Sequence, residues 1–155
     1  MVEKICCIIG KKTLTKEELK KTKNFLLTAL EHLIENNCNH FIIGTTTETD
    51  ILAAELIASL KDKNPNVVLE LAVQNEAMIC LAPNEIKLLF FKNKIDLVHI
   101  EQKEHNYAEE KECYKCTIDR SDVVVIICNE NINIDIDEKL TYTNNQNKRI
   151  VTIIV

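Results

Sequence analysis

Glycine is almost missing from this chain: Gly10 and Gly44 are the only two in 155 residues. Loops that wrap closely around a phosphate draw on several glycines, because a Cβ holds the backbone away from the ligand. A multi-glycine phosphate cradle is therefore not what this sequence builds. Any apolar run long enough to cross a bilayer is also missing, so no membrane partner is expected. Positive charge is in deficit, with 19 Lys and Arg against 24 Asp and Glu and a formal charge of −5. A nucleic-acid partner wants a basic patch and is not expected. There is no repeat, linker or low-complexity tract, and no His-based triad or nucleophile elbow. Met1-Val2-Glu3-Lys4 carries an early acid before a short apolar stretch, so no signal peptide is expected.

What is present is an alternation of apolar runs and amphipathic segments over residues 1–155, read as one α/β domain. Lys4 to Ile9 is a continuous apolar run, the pattern of a strand buried on both faces. Gly10 ends it and lets the chain turn. Thr15 and Glu18 have capping-box spacing and open a helix whose apolar face is Leu19, Leu26, Ala29, Leu30 and Leu33. That helix ends at Asn36-Asn37-Cys38-Asn39, where Asn can take a left-handed cap conformation. His40 to Ile43 is a second strand. Thr47 and Asp50 repeat the capping spacing, ahead of a helix with Leu52, Ala53, Leu56, Ile57 and Leu60 on its buried face.

After a turn at Asn64-Pro65-Asn66, Val67 to Val73 reads as a third strand. Gln74 to Leu81 is irregular, Pro83 suits the first turn of a helix over 84–93, and Asp96 to Ile100 reads as a short strand. Glu101 to Glu109 is charged and reads as an exposed loop, followed by a helix over 110–120. Val123 to Cys128 is the second strongly apolar strand. Asn129 to Glu138 alternates isoleucine with polar residues and reads as a surface loop or edge strand. Its Asn133, Asp135 and Asp137 would share one face, without the glycine or bidentate acid of an EF-hand. A short helix over 139–145 and a strand over 149–155 close the chain.

Strands alternating with helices imply a parallel sheet with right-handed crossovers. The two most apolar strands should be central neighbours. Ligands of such folds sit beyond the carboxyl ends of the strands, which gathers Gly10–Lys12, Gly44–Asp50 and Asn129–Ile136 on one rim. The candidate binding residues are Gly10, Lys11, Lys12, Gly44, Thr45, Thr46, Thr47, Asp50 and Asn129. The lysines can hold an anion without an arginine's fork, and the threonine hydroxyls can bond a ribose or base. Glu48 sets a negative charge at the helix N-terminus, against a phosphate. Thr47 and Asp50 also read as plain helix caps.

The 7 cysteines lie mostly in apolar runs, as small core residues of a protein kept in a reducing cytoplasm. Cys113-x-x-Cys116 has no second pair and no histidine at ligand spacing, so no metal is expected.

The three loops resemble signatures of the SLOG superfamily, in its YpsA-like branch, related to the lonely-guy (LOG) phosphoribohydrolases and the DNA-processing protein DprA. Ile9-Gly10-Lys11-Lys12 stands where the family has Thr-Gly-His-Arg after a strand. Gly44-Thr45-Thr46-Thr47-Glu48-Thr49-Asp50 stands for Ser-Gly-Gly-Ala-x-Gly-x-Asp, followed by Leu52-Ala53-Ala54-Glu55 for the family's Leu-Ala-Ala-Glu. Ile118-Asp119-Arg120-Ser121-Asp122 stands for Val-Asp-x-Ser-Asp. Thr45 and Glu48 replace two glycines, Cys113-Tyr114 an Arg-Asn pair, and Ile134-Asp135-Ile136 a Gly-Gly-Thr.

The resemblance implies a Rossmann-like three-layer α/β/α sandwich with a mostly parallel sheet. It also implies a binding or regulatory module that senses or sequesters a nucleotide-derived small molecule without a further cofactor. Two alternatives stand beside that. One is a phosphoribohydrolase of the LOG type acting on nucleoside monophosphates, with Glu138 near the expected acid. The other is a degenerate scaffold working through a protein partner, with homodimerisation through helices beside the sheet.

Overall fold

The computed structural model describes residues 3–101 and 114–155. Its strands are β1 (Lys4–Gly10), β2 (Cys38–Ile43), β3 (Val68–Val73), β4 (Leu97–Ile100), β5 (Val123–Cys128) and β6 (Arg149–Ile154). The helices between them are α1 (Lys16–Glu35), α2 (Glu48–Lys61), α3 (Ala77–Cys80), α4 (Asn84–Phe91), α5 (Tyr114–Asp119) and α6 (Ile134–Asn145). All six strands run parallel in the order β4-β3-β2-β1-β5-β6. This is a Rossmann-like α/β fold, and β1 and β5 are the expected central neighbours, with Gly10 opposite Ile127.

Two cores flank the sheet, because alternate residues of each strand face opposite ways. Cys6, Ile8, Phe41, Ile43, Leu69, Leu71 and Val125 pack against α1, α2 and α4. Cys7, Ile42, Val124, Ile126 and Cys128 pack against α5 and α6 through Ile118 and Ile136. α2 lies against the middle of the sheet, and its Ala53, Ala54 and Ala58 leave room for close approach. Among the described residues, no helix is long and apolar enough to cross a membrane.

Both expected capping boxes form, at Thr15 with Glu18 and at Thr47 with Asp50. Asn37 takes the left-handed conformation just past α1, at φ 67°. Neither glycine has positive φ, so Gly10 is not there to turn the chain. A Cβ on Gly10 would stand 2.9 Å from both the Cβ and the carbonyl oxygen of Ile127 and 2.8 Å from Thr49 Cγ2. The residue is small because β1, β5 and α2 converge on it.

Several expectations are corrected. The buried stripe of α1 begins at Thr22, and Leu19 is largely exposed. Ile134 onward is helix, not loop or edge strand. Asn133 caps it, accepting from Ile136 N–H at 2.8 Å, and Asp135 and Asp137 in the first turn suit the helix dipole. The isoleucine alternation misleads because only Ile136 is buried, while Ile134 is 80% exposed. Glu101 is buried, not part of an exposed loop. The rest of that stretch, the first residues of the helix expected over 110–120, and Cys113 lie outside the described residues.

Candidate functional site

A cleft of about 810 Å³ opens at the carboxyl ends of β1, β2 and β3, on the side of the sheet covered by α5 and α6. Its volume is within the range of small-molecule pockets. Ile42 and Ala72 form part of an apolar floor. The loop after β2 supplies Gly44, Thr45, Thr46 and Thr47, and α2 supplies Asp50. Gly10 and Lys12 come from the end of β1, and Asp135 and Lys139 from α6.

Seven of the nine candidate residues line this cleft: Gly10, Lys12, Gly44, Thr45, Thr46, Thr47 and Asp50. Lys11 does not. Its ammonium pairs with Glu18 of α1, and that bond is the main reason the Glu18 carboxyl falls from 4.5 to about 2. Asn129 is not among the lining residues either; its Oδ1 is buried and accepts no hydrogen bond from a described residue. From the segment after β5 it is Asp135, in the first turn of the capped helix, that reaches the cleft.

Of the two acids at the start of α2, Asp50 holds the cap expected of it and also lines the cleft, while Glu48 does not stand at the anion position. Glu48 turns away and accepts from Leu14 N–H, tying the loop before α1 to α2. Asp50 is the acid at the anion position. Its Oδ2 accepts from Thr46 N–H and Thr47 N–H, both at 3.1 Å, and would lie 2.9 Å from a Cβ on Gly44. Gly44 is therefore small to make room for a carboxylate. Burial pushes the Asp50 carboxyl up, against the bonds from Thr47 and Thr46 that pull it down.

Residues that the sequence reading missed complete the walls. Glu101 at the end of β4 is 4% exposed, and Thr117 Oγ1 donates to its Oε1. Tyr114 and Thr117 face the cleft from α5, with Gln74 and Met78 beyond β3. Lys139 pairs with Asp135 at 3.3 Å and lies 5.6 Å from the centre of the Tyr114 ring. Only the rim rule could have flagged Glu101, because it directly follows a strand.

Glu138 lines a separate groove with Tyr114, Lys115 and Tyr142, not this cleft. Cys116 is buried with its Sγ 3.7 Å from His99 Nε2, so the fold joins a thiol and an imidazole that are 17 residues apart. Among the described residues, no group of three His, Cys, Asp or Glu side chains is arranged to hold a metal.

In comparisons with known proteins, no family model and no curated protein matches the chain. Among solved structures the chain is similar to a protein from Aquifex aeolicus VF5, described as a structural study of a project target. The TM-score is 0.39 at 13% identity, over 97% of this chain and 74% of that one. The fold assignment rests on the strand order and helix placement above.

Proposed function

We propose that this chain is a binding module of the SLOG type, without catalysis of its own, that holds a nucleotide-derived small molecule above β1, β2 and β3. The observation that carries this reading is the convergence of Gly10, Lys12 and the Gly44–Asp50 loop on one cleft, although they come from separate crossovers. Threonine hydroxyls, a carboxylate and an apolar floor are the groups that orient a sugar and a flat base. The hydrolase reading loses support, since Glu138 faces another groove.

A ligand held by the folded chain alone raises its unfolding temperature. A panel of nucleosides and nucleotides is expected to contain at least one compound that does so. Thr46→Trp, at an exposed position on the cleft wall, should abolish the rise and leave the unliganded transition in place. No response to any compound would end this reading.

A scaffold role has one observation in its favour, the apolar surface of α4, where Leu88 and Phe91 are 50% and 85% exposed. Sedimentation of the wild type beside Leu88→Glu with Phe91→Glu tests it. A monomer at all concentrations would count against self-association.

A further inference from the structure

Two sides of the cleft are held in different ways. On the β2 side, the loop before α2 is tied to distant parts of the chain. Glu48 N–H donates to the Lys12 carbonyl at 2.8 Å, and Thr49 Oγ1 donates to the Lys11 carbonyl at 2.7 Å. Thr45, Thr49 and Asp50 are buried there. On the β3 side, residues 74–81 bring Gln74 and Met78 to the lining. The N–H groups of Met78, Ile79, Leu81 and Ala82 donate to the carbonyls of Asn75, Glu76, Ala77 and Ile79, each three or four residues back. Val73 and Ala82 are buried, and every residue between them is half-buried or exposed.

Hydrogen bonds this local can break while the rest of the fold stays intact, and little buried apolar surface opposes their breaking. α3 is a single turn without a side-chain cap and with no buried residue. A helix so short does not stand by its own propensity.

The same segment is apolar. Ala77-Met78-Ile79-Cys80-Leu81 carries no charge, and Leu81 is 74% exposed. Apolar side chains at a cleft lose water when a flat ligand lies against them, and methionine adapts to surfaces of varied shape. Elements that gate a binding site come from the least stable parts of a fold.

Resting on the binding reading above, we propose that residues 74–81 are the lid of the cleft. They open and reclose by themselves in the unliganded chain, and a ligand base lying against Met78 holds them shut.

Hydrogen exchange of the full chain, read amide by amide, tests this. The chain is measured alone and with adenosine, guanosine, cytidine, uridine and their 5′-monophosphates in excess, with thermal unfolding alongside to show which of them bind. Alone, the amides of Met78, Ile79, Leu81 and Ala82 should exchange about a hundredfold or more faster than those of β1 and β5. Ala77→Gly should speed these four about fivefold and leave β1 and β5 unchanged, because glycine weakens the turn and not the sheet. A compound that raises the unfolding temperature should slow the four about tenfold or more. The amides of Gln146 and Asn147, at the exposed end of α6, should keep their rates. Lid amides as slow as those of β1 and β5, or an Ala77→Gly effect spread equally over the sheet, overturn the lid. A bound compound that leaves the four rates unchanged overturns the lid and leaves the binding reading standing. No rise in unfolding temperature with any compound overturns both.

Discussion

Arg120 grips Glu70 with two parallel bonds, Nη1 to Oε2 at 2.6 Å and Nη2 to Oε1 at 3.0 Å. His40 Nε2 lies 2.9 Å from the same Oε1. Glu70 sits in an interior strand with its side chain almost wholly buried. An isolated carboxylate would not stay ionised in such a place. Burial pushes its carboxyl up, but the bonds from His40 and Arg120 outweigh that and bring it down to about 2. The three residues come from β2, β3 and the turn after α5, so the cluster fastens α5, one wall of the cleft, to the sheet.

Arg120→Ala would leave that carboxylate with His40 beside it and without its two guanidinium bonds. The expected cost is about 2 kcal/mol, below the range for a fully buried pair because Arg120 is 30% exposed. Arg120→Lys keeps the charge but not the fork and should recover part of the loss. Urea unfolding measures both, and an unchanged midpoint for Arg120→Ala would show that the pair contributes nothing.

Acid should weaken the fold through two residues. Glu18 and Glu70 each fall from 4.5 to about 2 on folding. A carboxyl with a depressed folded value contributes stability that is complete above its unfolded value and is lost as pH falls toward the folded one. Stability should therefore decline from about pH 4.5 downward, and Glu18→Gln or Glu70→Gln should each flatten that decline. Asp50 has the opposite sign, raised from 3.8 by burial. It favours the folded state below its unfolded value, and that gain disappears as pH rises through the folded one. Asp50→Asn should remove a stabilisation that the wild type acquires on approaching pH 3.8 from above. Unfolding curves from about pH 7 to about pH 3 check all three.

What could be read in advance follows the range of the forces. β1, β2 and β5 were legible because a strand buried on both faces needs an unbroken apolar run, and all six residues of β5 are buried. The boxes at Thr15 and Thr47 were legible because both partners lie within one helical turn. The form of residues 134–138 was not. A period of two in isoleucine mimics a strand, and the cap at Asn133 decides otherwise. The turn of Glu48 away from the cleft was equally hidden, because the Leu14 N–H that it accepts from is 34 residues away. Arg120 and Glu70 are 50 residues apart, and Glu101 meets Thr117 only because β4 and α5 are neighbours. No local pattern carries such pairs.

The two glycines should fail differently. Gly10→Ala sets a Cβ against the backbone oxygen and Cβ of Ile127 and against Thr49 Cγ2. A strand cannot yield there without breaking its register. The expected loss is about 2–3 kcal/mol, the upper part of the overpacking range. Gly44→Ala meets only the Asp50 carboxylate, a side-chain end that can shift, and should cost about 1 kcal/mol. Urea unfolding ranks them, and equal losses would refute the backbone argument.

Thr15 and Thr47 are a matched pair for separating structure from binding. Each hydroxyl accepts from the N–H three residues on, at 3.1 Å in α1 and 3.0 Å in α2. Each is answered by the acid at that position. Replacing a capping threonine by alanine costs about 1 kcal/mol, so Thr15→Ala and Thr47→Ala should lower stability alike. Their effect on ligand should not be alike. Thr15 is absent from the cleft lining, whereas Thr47 belongs to it and its hydroxyl holds the Asp50 backbone in place. Once each variant's own unfolding temperature is subtracted, Thr15→Ala should keep the full ligand-induced rise and Thr47→Ala should lose most of it. Equal losses would mean that the loop after β2 serves only to start a helix.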